Sequence, residues 1–240
     1  MPKRRIQLFD ALRGFAVCLM VLHHAMYDAV YTLGGAEWLY WNPVIAVLHY
    51  IFAGVFIALA GMSSRLSRSN WRRGGMCAMA AAAVSFVTAL AGDPVRFGVL
   101  HLLASCMLLY ALGEELSGRL KRKKTAGSGA AALSYALTAA LVAFSAFAVN
   151  KLDYEFPFSY VLGWTGNGFY SADHFPLLPW AFVFAFGAVF GGAVKRGSLP
   201  ERLQTLRIPL FPAIGRHSMV IYLIHQPILY GIALLISARR

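Results

Sequence analysis

Apolar residues along this chain fall into seven long blocks, approximately 9–32, 43–62, 74–92, 97–116, 130–149, 176–194 and 214–236. Each approaches the roughly 20 residues a helix needs to cross a bilayer. Short polar connections separate most of them. One connection, 150–175, is longer and rich in aromatics, glycine and proline (Tyr154, Phe156, Pro157, Tyr160, Trp164, Phe169, Tyr170), which suits an interfacial or re-entrant element. Residues 125–132 form a small-residue linker, and no internal repeat interrupts the pattern. The expected architecture is an all-α polytopic membrane protein with about seven transmembrane helices, a single transmembrane domain over 1–240.

Composition removes the soluble alternatives. Of 240 residues, 59% are hydrophobic and 13% charged, about half the charged share of a soluble domain. The net charge of +12 would suggest nucleic-acid binding in a soluble protein. Here the basic residues sit in short blocks between apolar runs, which argues against a nucleic-acid partner and for membrane topology. Lys3, Arg4 and Arg5; Arg65, Arg68, Arg72 and Arg73; Arg119 with residues 121–124; and Lys195, Arg196, Arg202, Arg207 and Arg216 fall on one side. The other side holds only Arg96, Lys151, Arg239 and Arg240, a split of 17 to 4. By the positive-inside rule the N-terminus is cytoplasmic and the C-terminus lies outside. The basic start at Lys3–Arg5 is followed by an apolar block carrying Asp10, Arg13 and two histidines, so this block is expected to be a retained first helix rather than a cleavable signal. Cys18, Cys77 and Cys106 lie within apolar runs and show no metal-site or disulfide spacing.

Ionisable residues inside such helices are costly and mark functional candidates. On an ideal helix Asp10, Arg13, His24 and Asp28 fall within about 60° of one another, forming one stripe. Arg13 and His24 stand about 16 Å apart along it, with Arg13 near the cytoplasmic end. His23 points away from the stripe. Asp28, one turn beyond His24, is placed to orient its ring. The plainer alternative pairs Arg13 with Asp10 and leaves His24 hydrogen-bonded in the bundle. His49 and His101 occupy comparable depths on other helices, and Asp173 and His174 are expected to cap the outer start of the sixth. Ser218, Tyr222 and His225 share a face of the seventh. Taken singly, His49, His101 and His225 also read as satisfied core histidines. No helical His pair at zinc spacing is present, and no metal is expected.

The run Leu8-Phe-Asp10-Ala-Leu-Arg13-Gly14-Phe with His24 beyond it resembles the first-helix signature of transmembrane acyltransferases. The runs Asp173-His-Phe-Pro-Leu-Leu-Pro-Trp180 and Gly215-Arg-His-Ser218-Met-Val-Ile-Tyr222-Leu-Ile-His225-Gln-Pro227 resemble the bacterial branch of the heparan-α-glucosaminide N-acetyltransferase catalytic family, as does Phe52-Ala-Gly54-Val-Phe with Gly61-Met-Ser63-Ser64. The resemblance implies transfer of an acyl group, an acetyl above all, from cytoplasmic acyl-CoA to a hydroxyl or amine of a sugar-containing or cell-envelope acceptor on the outer side. It places His24 in the catalytic position and Arg13 on the donor side, and it implies the cytoplasmic (inner) membrane of a prokaryote. Asp28 is then the orienter, and Arg216 joins Arg13 at the donor mouth. Asp173, His174, His101, Tyr222 and His225 become acceptor-side candidates, with Ser218, Tyr222 and His225 as donors to the oxyanion. Relatives usually carry ten or eleven helices against about seven here, which points to a homo-oligomer that completes the bundle. The competing reading is a proton-coupled small-solute transporter using the same intramembrane histidines and aspartates.

Overall fold

Among the described residues ten α-helices form and no strand occurs. The computed structural model describes residues 6–119, 128–151 and 156–239, the side chains of 117–119 and 128–132 excepted. The basic residues at 3–5 and 121–124, residues 125–127 of the linker, Asp153, Tyr154, Glu155 and Arg240 lie outside this set, as do the side chains of Arg119 and of the rest of the linker. The helices are α1 (Gln7–Tyr31), α2 (Pro43–Leu66), α3 (Asn70–Leu90), α4 (Val99–Arg119), α5 (Ser128–Lys151), α6 (Ser159–Leu162), α7 (Leu177–Lys195), α8 (Glu201–Thr205), α9 (Phe211–Arg216) and α10 (Ser218–Ser237). Seven of them are long and apolar enough to cross a membrane, as the hydropathy pattern predicts. The protein is an all-α polytopic membrane protein. The described part of the long connection, 156–175, holds only the four-residue α6, too short to cross a bilayer.

Local chemistry sets the boundaries. Asn42 caps α2, its side-chain oxygen accepting from Val44 N at 2.9 Å, with Pro43 at the first helical position where no amide hydrogen is needed. Ser69 caps α3 by accepting from Arg72 N at 3.3 Å. The last apolar block does not form one helix. Its start belongs to the short α9, and His217 leaves helical geometry (φ −103°, ψ 15°) before α10 begins.

The chain forms two compact units, one of Met1–Phe56 with Leu199–Arg240 and one of Ile57–Ser198. In the first, α1 packs on α9 and α10. Gly14 and Gly215 let the backbones of α1 and α9 touch. A β-carbon on Gly14 would land on the Phe211 carbonyl oxygen and 2.8 Å from Gly215 N, and one on Gly215 would land on the Asp10 carbonyl oxygen. In the second unit Gly61 on α2 meets the Phe184 carbonyl of α7, and Gly187 and Gly191, one turn apart, meet Ala58 and Met62. Small residues at such contacts let helices approach within lipid, where dispersion and close backbone contact replace the hydrophobic drive.

Candidate active site

The polar stripe of α1 divides into two places. At the start of the helix the Arg13 guanidinium pairs with the buried Asp10 carboxylate at 3.3 Å. This is the plainer of the two alternatives open in the sequence. Asp10 also lines a cleft of about 250 Å³ with Gln7, Ile208, Leu210, Pro212, Ala213 and Arg216. Arg216, exposed at the end of α9, brings a guanidinium to its rim. The α9 geometry that makes the cleft depends on the Gly14–Gly215 contact described above.

Further along α1, His24 faces His225 of α10, with ring centroids 4.9 Å apart and planes at 60°. His225 is buried, and its Nδ1 lies 2.7 Å from the Tyr222 carbonyl oxygen. A carbonyl only accepts, so Nδ1 carries the proton and Nε2 is the lone-pair nitrogen. In this tautomer Nε2 of His225 is a hydrogen-bond acceptor, whereas an oxyanion donor would need its hydrogen there. The Tyr222 ring lies 5.6 Å from that of His225.

Asp28, expected to orient His24, has its hydrogen-bond partner on α10. Its buried carboxylate accepts from Gln226 Nε2 at 3.2 and 3.4 Å. Gln226 follows His225 directly, so this bond ties α10 to α1 one turn from the facing histidines. Sequence reasoning missed Gln226. The only signal was its place beside His225, since spacing along one helix cannot reveal a bond between residues 198 apart. His23, pointing off the stripe, stacks on His49 of α2 at 4.3 Å between centroids.

Three other candidates lie in the second unit and have structural occupations there. Asp173 Oδ2 accepts from Val99 N at 3.1 Å, so it caps α4 and not the helix that follows it in sequence. That helix, α7, starts behind Pro176 with no side-chain cap. Gly98 is required beside Asp173, because a β-carbon there would strike the carboxylate. His101 closes the same helix start: its Nδ1 accepts from Gly98 N at 3.2 Å, the arrangement of a capping box. Its Nε2 then carries the hydrogen and donates to Ser85 Oγ at 3.1 Å, which in turn donates to the Val95 carbonyl at 2.6 Å. Both ring nitrogens of His101 are engaged in these bonds. His174 donates from Nε2 to the Tyr160 carbonyl at 2.9 Å and packs on Phe169 at 4.9 Å between centroids. Asp173 and His101, expected on the acceptor side, both take part in capping α4. Tertiary contact through the 93–98 and 170–175 segments, joined by Phe175 N to the Phe97 carbonyl at 2.8 Å, is the reason. Elsewhere in this unit Arg65 is drawn to Glu114 at 3.8 Å and to the Tyr110 hydroxyl at 3.4 Å. Among the described residues no group of three or more His, Cys, Asp or Glu is placed to hold a metal ion.

The comparison with protein families covers most of the chain. A model of the catalytic domain of heparan-alpha-glucosaminide N-acetyltransferase matches residues 5–227. The chain belongs to this family. Nothing among curated proteins or solved structures matches the chain. The N-acetyltransferase match runs from the start of α1 through His225, Gln226 and Pro227 of α10, so it includes both facing histidines and the Asp28–Gln226 tie. The family is one of membrane acetyltransferases that in general use acetyl-CoA as donor.

Proposed function

We propose that this chain transfers an acetyl group from acetyl-CoA, entering by the cleft at the start of α1, to a hydroxyl or amine of a sugar-containing or cell-envelope acceptor on the outer side of the inner membrane of a prokaryote. The observation that carries the reading is the facing pair His24 of α1 and His225 of α10, with α1 also lining the cleft. The 17 to 4 split of basic residues puts the cleft end of α1 on the cytoplasmic side, where acyl-CoA is available. Arg216, with Arg13 behind the Asp10 carboxylate, offers positive charge to the donor's phosphates. From Arg13 to His24 is about 16 Å along the helix, a path for the thin pantetheine arm to carry its thioester to the imidazole.

His24 acts as general base. It takes the proton of the acceptor as the acceptor oxygen or nitrogen attacks the thioester carbonyl. The Nε2 lone pair of His225 accepts a hydrogen bond from the resulting imidazolium and stabilises it. The Tyr222 and Ser218 hydroxyls are the candidate donors to the oxyanion. As the C–S bond breaks, His24 returns its proton to the CoA thiolate. Asp28 and Gln226 hold α10 against α1 so that the two rings stay opposed.

The test is thiol release from acetyl-CoA by the detergent-purified protein with a panel of glucosamine-containing acceptors. General-base catalysis contributes about 10²–10⁴-fold, so His24→Ala should lower the rate at least about 10²-fold while leaving thermal stability intact. A folded His24→Ala variant that transfers acetyl at the parental rate overturns the reading.

A further inference from the structure

His24 has a second histidine neighbour that the mechanism above does not use. The ring of His23 lies 6.2 Å from that of His24, and stacks on His49 at 4.3 Å with planes 30° apart. Tyr40, in the connection between α1 and α2, covers His23 at 4.9 Å. His49 in turn lies 5.6 Å from the ring of Tyr50, which is exposed. His23 Nδ1 is buried and meets no hydrogen-bond partner among the described residues, a cost that a purely packing side chain does not need. All these groups belong to the first unit, and they lead from His24 through stacked imidazoles to Tyr40 in the connection between α1 and α2.

Proton balance gives that line a use. With a hydroxyl acceptor, R–OH and acyl–S–CoA become R–O–acyl and HS–CoA. The single proton that His24 removes goes back to the thiolate, and no proton is left over. An amine acceptor enters as R–NH₃⁺ and must lose two protons to become the amide. One ends on the CoA sulfur; the other has to leave the site. A proton taken on His225 Nε2 has no onward path, because Nδ1 donates to the Tyr222 carbonyl, which only accepts, and Asp28 is engaged by Gln226. Two imidazolium rings stacked at 4.3 Å would repel strongly, so His23 and His49 together hold one proton at a time. That is the amount to be removed per turnover.

We propose that His23 and His49 are the proton outlet of His24, taking the surplus proton of an ammonium acceptor through a bridging water and passing it to solvent at the α1–α2 connection beside Tyr40. The outlet stands idle with a hydroxyl acceptor. This inference rests on the acyl-transfer reading.

The experiment compares glucosamine, an amine acceptor, with glucose, a hydroxyl acceptor. Thiol release from acetyl-CoA is followed together with proton release to an indicator dye. The outlet predicts that His49→Ala slows thiol release with glucosamine about tenfold and lowers the glucosamine-to-glucose rate ratio. Free imidazole should restore the glucosamine rate, which repair of packing alone would not produce selectively. His49→Gln, closer in size and still polar but unable to carry the proton, should behave as His49→Ala does, and it serves if the alanine variant fails to fold. An active parent whose glucosamine rate is unmoved in both variants, or is lowered but not restored by imidazole, overturns the outlet and leaves the acyl-transfer reading standing. A parent that turns over glucose but not glucosamine also overturns the outlet. A parent that releases no thiol with any acceptor overturns both.

Discussion

Replacing Gly215 by alanine tests whether the contact between α1 and α9 is as close as the backbone geometry requires. The added β-carbon would lie 2.8 Å from the Asp10 carbonyl carbon and 2.9 Å from Gly14 N, and closer still to the Asp10 oxygen. Ordinary contact begins near 3.4 Å, so the helices must part by about 0.6 Å at the carbonyl carbon and by more at the oxygen. All three atoms are main chain, and no rotamer change relieves them. Overpacking of this kind costs about 1–3 kcal/mol, partly offset by the roughly 0.5–1 kcal/mol that alanine contributes over glycine in a helix. The net loss is about 1–2 kcal/mol, or about 2–8 °C in melting temperature for a chain of this size. Thermal unfolding of the detergent-purified protein, followed by tryptophan fluorescence, measures it. The control is Gly231→Ala in α10, where a β-carbon meets nothing within 4 Å. That variant should gain the helix propensity alone and melt slightly higher than the parent. If Gly215→Ala melts at or above Gly231→Ala, the α1–α9 contact is looser than described and the cleft beside it loses its structural basis.

Asp173→Ala removes the cap of α4 and should cost about 0.5–2 kcal/mol, read as a fall in melting temperature. Asp173→Asn, which keeps an oxygen acceptor for Val99 N, should restore most of it; a variant with full stability but lost activity would return Asp173 to the acceptor site. Gln226→Leu strands the buried Asp28 carboxylate and should cost about 1–3 kcal/mol. If its melting curve overlays the parental one, the Asp28–Gln226 bond does not hold α10 to α1.

Hydropathy alone located the seven long helices to within a few residues, because a membrane span is a property of composition over one contiguous stretch. The stripe Asp10, Arg13, His24 and Asp28 was equally legible, since residues on one helix keep fixed angular relations whatever surrounds them. The family signature was readable too, as it lies in short local runs around Arg13, His24 and His225. Partner choice was not. Asp28 stood one turn from His24 and yet bonds Gln226; Asp173 preceded α7 and yet caps α4; His101 resembled a ligand-binding histidine and yet closes a helix start. Each of these bonds joins segments whose relative placement follows from how helices pack, and that depends on close backbone contacts such as Gly14 with Gly215. One-dimensional spacing contains no such information. The sequence determined which residues sit on each helix face, and the tertiary structure decided which faces meet, because a polar group buried in an apolar bundle takes whatever partner the packing brings within about 3 Å.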